Sequence, residues 1–225
     1  MKGLNAELQV TAVNVFDAVR NLGSFRSADD KPVERKKVGK ILEAGRHAPS
    51  PGNVQSLEFI VIEEEESRAK LAEASGDPRL EEAPVAVIVL ADTARMRRRI
   101  GDEFHDACNA EAASAVQGMR MVAKEEGLSS CWVTGFDQMA VKTGFGIPEN
   151  VEPMGIIGLC YPRSEVEPDH RFGMNEVVFY EKYDNQVGSV FDGLEWEGLH
   201  ENTEIASKKT KRFYWKLKER LSDLI

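Results

Sequence analysis

Residues 46–62 read RHAPSPGNVQSLEFIVI and connect a helical pattern to a strand. The last four residues, Phe59–Ile62, form an apolar run typical of a buried strand. The stretch begins at the end of a helical pattern. Two prolines and a glycine between them predict an irregular backbone. Ser50, Asn53 and Gln55 supply hydroxyl and amide groups there, and amides both donate and accept hydrogen bonds. The pattern suits binding of a flat polar ligand; an ordinary helix-to-strand connection is the alternative.

The composition limits the classes of protein to consider. The 225 residues carry a formal net charge of −9, which argues against nucleic acid binding because phosphate recognition needs a basic surface. No apolar run reaches the length of a membrane span, and the N-terminus lacks the apolar core of a signal peptide. The three cysteines are far apart and odd in number, so we expect no disulfide framework and no metal site. A soluble, cytoplasmic protein is therefore predicted.

Helical and strand patterns alternate along the chain. Helices are predicted over residues 9–20, 34–46, 68–74, 103–126 and 137–144, with Gly23 as a C-terminal cap of the first. Strands are predicted over residues 59–62, 83–92, 154–162 and 176–180. The run 83–92 is apolar on both faces, so it must be central. The fold class expected is α+β, with an α/β-like mixed central β-sheet wrapped by helices.

No side chain in the sequence is assigned a catalytic role. His105, Asp106 and Cys108 lie on one short helical arc without a glycine-rich nucleophile elbow, which argues against a hydrolase. Cys131 is predicted to be a buried strand residue and not a redox thiol. The acidic cluster at 63–66 is predicted to end a strand and open a helix, where the helix dipole favours negative charge.

Residues 48–59, APSPGNVQSLEF, resemble the A-P-S-x-x-N-x-Q-P-W-x-F loop of the nitroreductase family of FMN-dependent oxidoreductases. The usual Pro-Trp pair is replaced by Ser56-Leu57. The resemblance implies that this loop contacts the flavin ring, often from the partner subunit. The contacts it implies are Pro49, Ser50, Asn53 and Gln55.

Ser24-x-Arg26, followed by Pro32-Val33, resembles the family's opening pattern, R-x-S-x-R/K and then P-V, which holds the FMN phosphate. A hydroxyl and a guanidinium two residues apart point the same way on an extended segment, and a guanidinium binds phosphate bidentately. Leu22 stands where the family's first arginine is expected. A solvated surface pair is the alternative interpretation of Ser24 and Arg26.

Residues 127–136, GLSSCWVTGF, resemble the family's G-L-G-S-x-W/P-x-x-G-F segment. This implies that Val133, Thr134 and Gly135 lie against the flavin, with backbone N–H groups of the last two near N5 and O4. Glycine has a physical reason there, because a residue without a side chain lets the backbone approach a flat ring. Arg79 is a further candidate, at the N1–C2 edge, where a cation stabilises the reduced ring. An ordinary surface arginine is the alternative.

Residues 168–172, PDHRF, resemble the family's K-x-R segment that returns to the phosphate. Arg171 matches the arginine, and Asp169 replaces the lysine. The resemblance covers roughly residues 18–183 and predicts a nitroreductase-like FMN-binding domain over 1–187, with a C-terminal extension over 188–225. Within it, residues 208–225 read as a basic amphipathic helix that packs on another subunit or lies on an acidic membrane surface. Subunit packing is preferred because the rest of the chain has no membrane feature.

The resemblance implies a homodimer with FMN at the interface and small-molecule substrates. No G-x-G-x-x-G fingerprint appears, so NADH or NADPH would be a transient donor. Hydride would pass from NAD(P)H through flavin N5 to a small electron-poor acceptor, a nitroaromatic or a quinone, with the flavin carrying the chemistry. Two alternatives stay open: the same scaffold used for dehalogenation or flavin breakdown, and a non-enzymatic flavin-binding sensor whose basic tail recruits a partner.

Overall fold

The computed structural model describes residues 14–164, 166, 168 and 170–185. The chain divides into two compact units, residues 1–169 and 170–225. The helix predicted over 208–225 lies outside the described residues, so that helix and the domain boundary after residue 187 stay predictions. None of the helices within the described ranges has both the length and the apolar character of a membrane span.

The helices and strands predicted before residue 163 are present with shifts at their ends. In chain order the elements are α1 Val15–Arg20, α2 Arg35–Arg46, β1 Leu57–Ile62, α3 Glu65–Ser75, α4 Arg79–Glu82, β2 Val85–Asp92, α5 Thr93–Ile100, α6 Phe104–Glu125, β3 Ser129–Val133, α7 Gln138–Phe145, β4 Val151–Cys160 and α8 Met174–Val177. Helices α4, α5 and α8 were not predicted. The acidic cluster behaves as predicted, since β1 ends before it and Glu65 and Glu66 form the first turn of α3.

The four described strands form one sheet in the order β1-β2-β4-β3. Every pairing in it is antiparallel, so a mixed sheet was the wrong expectation for this part of the chain, while the α+β class is confirmed. Strand β2 pairs on both edges and seven of its eight residues are buried, as its apolar run predicted.

Helices cover both faces of this sheet. On one face Val85, Val87 and Val89 of β2 pack with α2 and α6 residues. On the other face, the alternate residues Ala86, Ile88 and Leu90 pack with residues of α3, α4 and α7. This alternation is the period of two that a strand imposes on its side chains. Each face of the sheet therefore packs against its own set of helices.

Helices α2 and α6 approach each other closely at Gly45. A methyl group built on Gly45 would lie 2.8 Å from Sδ of Met119 on α6 and 3.0 Å from the Phe59 ring. Such distances are shorter than van der Waals contact, so only glycine fits here.

Two local predictions were wrong. Helix α1 ends at Asn21, whose backbone N–H and side-chain amide both donate to the Asp17 carbonyl oxygen, at 3.0 and 2.9 Å. Gly23, two residues after Asn21, is buried and does not cap the helix. Where a strand was predicted over residues 176–180, residues 176 and 177 instead end the short helix α8 of the second unit, and Phe179 forms only a single bridge.

Candidate functional site

The segment that carries Ser24 and Arg26 is anchored by the residue between them. Phe25 is fully buried, so its neighbours on either side point away from the core. Ser24 is half-buried and Arg26 is exposed. Within the described part of the chain, neither side chain forms a hydrogen bond or an ion pair, which leaves a hydroxyl and a guanidinium free to bind an anion.

Contacts from two elements hold this segment in place. The Ala28 N–H donates to Glu82 Oε2 on α4 at 3.3 Å. Arg120 on α6 donates from Nη2 to the Gly23 carbonyl at 3.2 Å and from Nε to Oγ of Ser130 on β3, also at 3.2 Å. The segment is thereby joined to α4, α6 and the start of β3.

A cavity of about 240 Å³ opens beside this segment. Its lining includes Gly23, Lys124, Ser129 and Ser130. Arg120 and Lys124, one turn apart on α6, bring two cations to this region, and both were missed in the sequence. Their i, i+4 spacing is a usable signal, because residues four apart share one side of a helix.

The segment after β3 is open to solvent. Val133 is buried as the last residue of the strand, whereas Thr134 and Gly135 are exposed. A methyl group built on Gly135 would meet no atom within 4 Å, so there is space beside this backbone. Asp137 then caps α7, and its N–H donates to the Ala74 carbonyl at the end of α3 at 3.0 Å.

Arg79 is not an isolated surface cation. Its Nε and Nη2 donate to Oδ1 and Oδ2 of Asp77 at 2.9 and 2.5 Å, a bidentate pair. These hydrogen bonds lower the pKa of Asp77 and raise the pKa of Arg79. The Arg79 charge is therefore already matched by a carboxylate within the fold.

Cys131 is confirmed as a buried strand residue. Burial raises the pKa of its thiol to about 11, against a smaller opposite effect of the Arg79 charge. A methyl group on Gly158 of β4 would come within 2.9 Å of its sulfur, so the thiol fills space that only a glycine leaves open. Thiols of this kind are inert at neutral pH because the thiolate is the reactive form.

These pieces share one face of the sheet. Phe25, Leu80, Cys131 and Val133 belong to a single buried cluster. Each is the sequence neighbour, or nearly so, of a candidate residue. The prediction that Ser24, Arg26, Arg79, Val133, Thr134 and Gly135 form one site stays a prediction, which the shared buried cluster of their neighbours supports.

The loop of residues 49–55 has an unusual backbone. Residues Pro51–Asn53 form a 3₁₀ turn, and Asn53 and Gln55 adopt positive φ angles of 53° and 54°. That conformation costs a residue with a side chain about 1–2 kcal/mol. The loop is tied internally by the Gln55 N–H, which donates to Ser50 Oγ at 2.7 Å. Pro49, Asn53 and Gln55 are exposed, so both amide side chains remain accessible.

Two residues outside the loop fix its end. Arg95 on α5 donates from Nη1 to the Gln55 carbonyl at 2.7 Å. Glu111 on α6 is 2% exposed and accepts from Ser56 twice: from the backbone N–H at 3.1 Å and from the hydroxyl at 2.6 Å. Glu111 was missed in the sequence. It stands four residues after Ala107, on the stripe that α6 buries, and a charge on a buried stripe is the signal that points to it.

This loop lies apart from the first group of candidates. Val54 and Leu57 pack with a different cluster, formed by residues of β2, α5 and α6. In the described part of the chain no hydrogen bond joins residues 49–55 to Ser24, Arg26, Arg79 or residues 133–135. Within one chain the structure therefore forms two groups, and the prediction that the loop serves a partner's flavin stays a prediction.

The remaining candidates are placed as follows. Arg171 is exposed in the second unit and donates to the His170 carbonyl at 3.1 Å, while Asp169 lies outside the described residues. The return of Arg171 to Ser24 and Arg26 stays a prediction. Cys108 is fully buried and burial raises its pKa, and His105 faces Glu152 at 3.5 Å. The described residues hold no cluster of three or more metal-binding side chains.

Comparison with known proteins identifies the family of this chain. The sequence profile described as the Nitroreductase family matches residues 23–78 and 75–161, which include every candidate position except Arg171. The chain belongs to the nitroreductase family. The predicted family is thereby confirmed.

Individual relatives within the nitroreductase family are distant. The NADH dehydrogenase of Thermus thermophilus is 26% identical over 186 residues, which span 70% of this chain and 91% of that protein. The FMN reductase (NAD(P)H) of Bacillus subtilis is 33% identical over 93 residues, 41% of this chain and 37% of that one. The NADPH:FMN oxidoreductase from Vibrio harveyi, solved with NAD+, superposes with a TM-score of 0.68 at 21% identity, covering 75% of this chain and 77% of that chain.

Proposed function

We propose that this chain is an FMN-dependent oxidoreductase that takes hydride from NADH or NADPH and passes it to a small electron-poor acceptor, a nitroaromatic or a quinone. Membership of the nitroreductase family supports the class of reaction. Relatives named as an FMN reductase and an NADH dehydrogenase support the cofactor and the donor. The observation that supports it is that Phe25, which lies between Ser24 and Arg26, belongs to the same buried cluster as Val133.

The residues present fit FMN. Its phosphate needs hydrogen-bond donors that are free, and the Ser24 hydroxyl and Arg26 guanidinium are free within the described chain. Its ring needs flat open space beside backbone, and Gly135 leaves such space. Arg171 would add a second guanidinium to the phosphate, as the family pattern implies.

The chain's own part is to bind and orient. When bound, FMN supplies the hydride chemistry at its N5 atom. The exposed backbone N–H groups of Thr134 and Gly135 would donate to the polar edge of the ring. Arg79 would add positive potential at the pyrimidine edge, reduced by its pairing with Asp77. No side chain is assigned as a proton donor.

The proposal includes a homodimer. The loop with Ser50, Asn53 and Gln55 lies in a different part of the chain from Ser24 and Gly135, so a second copy is the natural source of its contacts. Helix α1 offers an apolar surface for such an interface, with Val15, Phe16 and Val19 exposed by 74%, 46% and 45%. Exposed apolar patches of this kind are typical of subunit contacts.

Three buried free cysteines support a reducing, cytoplasmic setting.

The first test is the absorbance spectrum of the purified protein, then FMN titration and anaerobic addition of NADH and of NADPH. We expect bound flavin that either donor bleaches and that a nitroaromatic or a quinone restores. Protein that binds no FMN after reconstitution refutes the proposal. Bound FMN that neither donor reduces refutes the oxidoreductase role and leaves the sensor.

A second test separates the two ends of FMN. Arg26→Gln should weaken FMN binding about tenfold or more, the effect of one charge-assisted hydrogen bond, and leave riboflavin binding unchanged because riboflavin has no phosphate. Gly135→Ala should weaken both ligands. Its folding should be unaffected, since the added methyl meets no atom of the chain. Equal effects of Arg26→Gln on FMN and riboflavin contradict the assignment of Arg26.

A further inference from the structure

Helix α5 carries a cluster of exposed arginines. Arg97, Arg98 and Arg99 are consecutive and all three are exposed. Across the part of the chain that the structure describes, none of them forms an ion pair with a carboxylate. The whole chain has a net charge of −9, so an uncompensated positive patch stands out from its surroundings.

The patch lies directly against the loop of residues 49–55. A methyl group built on Gly52 would be 3.5 Å from Cγ and 3.7 Å from Nε of Arg99. Arg95, one turn earlier, donates to the Gln55 carbonyl at 2.7 Å. Because Arg98 and Arg99 are three and four residues after Arg95, they share the side of α5 that faces the loop.

The three arginines are not equivalent. The Arg97 guanidinium lies 4.1 Å from the centre of the Phe104 ring, a cation–π contact that engages it within the fold. Arg95 is committed to Glu58 and Asp92, at 3.0 and 3.4 Å. Arg98 and Arg99 are left as the cations of this surface with no assigned partner in the described chain.

We infer that Arg98 and Arg99 recognise the 2′-phosphate of NADPH, so that this protein prefers NADPH to NADH. The inference rests on the proposed function, in which a nicotinamide reaches a flavin ring beside the loop. A dinucleotide whose far end extends over the loop would then reach the arginines of α5, because Arg99 lies against Gly52. NADPH differs from NADH only in one phosphate, and guanidinium groups bind phosphate through paired hydrogen bonds as well as charge.

The kinetic test uses the FMN-loaded full chain and the double variant Arg98→Gln/Arg99→Gln. We expect kcat/KM for NADPH to fall about tenfold or more, the loss expected for a charge-assisted hydrogen bond, and kcat/KM for NADH to change by less than about twofold. The matched control is Arg35→Gln/Lys36→Gln. It removes the same charge from exposed positions at the start of α2, about 15 Å along that helix from the loop, and should leave both donors unaffected. Flavin absorbance and the unfolding midpoint verify that each variant is folded.

The binding test does not depend on turnover. Calorimetry compares 2′,5′-ADP, which carries the 2′-phosphate, with 5′-AMP, which lacks it. Wild-type protein should bind 2′,5′-ADP more tightly, the difference should vanish in the double variant, and it should shrink as salt is added.

The outcomes separate the two proposals. An equal loss of kcat/KM for both donors, or equal binding of both nucleotides by the wild type, overturns the role of Arg98 and Arg99. If the wild type oxidises neither donor but binds 2′,5′-ADP through these arginines, the phosphate site stands and the proposed function fails. If both donors are oxidised and the double variant matches the control, the proposed function stands and the phosphate site on Arg98 and Arg99 fails.

Discussion

Replacing Glu111 with alanine should destabilise the protein by about 3 kcal/mol, because Glu111 is the acceptor of two buried donors. The Ser56 N–H and hydroxyl lie 3.1 and 2.6 Å from its carboxylate oxygens, and Ser56 is completely buried. A buried donor left without a partner costs about 1–3 kcal/mol, so the two together cost about 2–6 kcal/mol. Removal of a desolvated carboxylate offsets part of that cost.

Thermal and urea unfolding measure this prediction. For a chain of this size about 3 kcal/mol lowers the melting temperature by about 6–12 °C. Glu111→Gln keeps one oxygen acceptor and should cost about 1 kcal/mol. Glu125→Ala removes an exposed carboxylate from the same helix and should change the free energy of unfolding by less than about 0.5 kcal/mol. A Glu111→Ala variant within about 1 kcal/mol of the wild type refutes the reasoning.

The same variant should loosen the loop. Ser56 follows Gln55, and Gln55 and Asn53 are held at positive φ. Without the Glu111 acceptor, the chain at Ser56 is no longer fixed, and these residues can relax toward ordinary backbone angles. Trypsin cleavage after Arg46 under native conditions should therefore be faster in Glu111→Ala than in Glu125→Ala. Equal cleavage rates would show that Arg95 and Ser50 hold the loop alone.

Two further predictions concern packing and pH. Gly45→Ala should destabilise the protein by about 1–3 kcal/mol because its methyl group would lie 2.8 Å from Met119 Sδ. Gly39→Ala on the same helix adds a methyl group that meets no atom within 4 Å, so it should stabilise the protein by up to about 1 kcal/mol. Urea unfolding of both variants checks this, and equal effects would contradict it. Burial raises the pKa of Cys131 from 9.0 to about 11, so the unfolded state loses this proton first, and the free energy of unfolding should be unaffected below pH 9 and fall by up to about 2.7 kcal/mol toward pH 11. Cys131→Ala should show a correspondingly smaller fall between pH 9 and 11, and an unchanged slope would refute the assignment.

Periodicity was enough to predict the elements that build the core. Strand β2 was recognised because its residues are apolar on both faces, and only a central strand buries both. Helix α2 was predicted from one apolar face, of which Val38, Ile41 and Gly45 are buried and Leu42 is partly buried. Strand direction was not recoverable in this way, because a period of two is the same for parallel and antiparallel pairs. The expected mixed sheet was wrong for that reason.

Local hydrogen bonds decided the elements that were mispredicted. Residues 176–180 have strand-forming side chains, yet Met174–Val177 is helical. Glu176 accepts from the Gly173 N–H at 2.8 Å through its side chain, and its own N–H donates to the Gly173 carbonyl at 2.9 Å. The side-chain contact is the half of a capping box that a glutamate supplies, and the backbone contact closes the first turn, so that together they outweigh β propensity over so short a segment.

The candidate site was predictable only where a family pattern marks it. Ser24, Arg26 and Gly135 were predicted through motifs, and the buried residues Phe25 and Val133 beside them belong to one cluster. Arg120 and Glu111 match no motif and act through contacts 10 to 97 residues away in sequence. Such partners depend on how α6 packs, which the sequence of α6 alone does not determine.

The departure of this chain from the family loop has a physical counterpart on α6. Where the family has proline, this chain has Ser56, and both groups of Ser56 that bind Glu111 are ones that proline lacks. Ser56→Pro would leave a buried carboxylate with neither donor, and the loss of two hydrogen bonds to a charged group costs about 3–6 kcal/mol. Ser56→Pro combined with Glu111→Leu removes the charge as well and should recover most of that loss. If the double variant is no more stable than Ser56→Pro alone, the serine and the glutamate do not depend on each other, and the loop is held by Arg95 and its internal contacts instead.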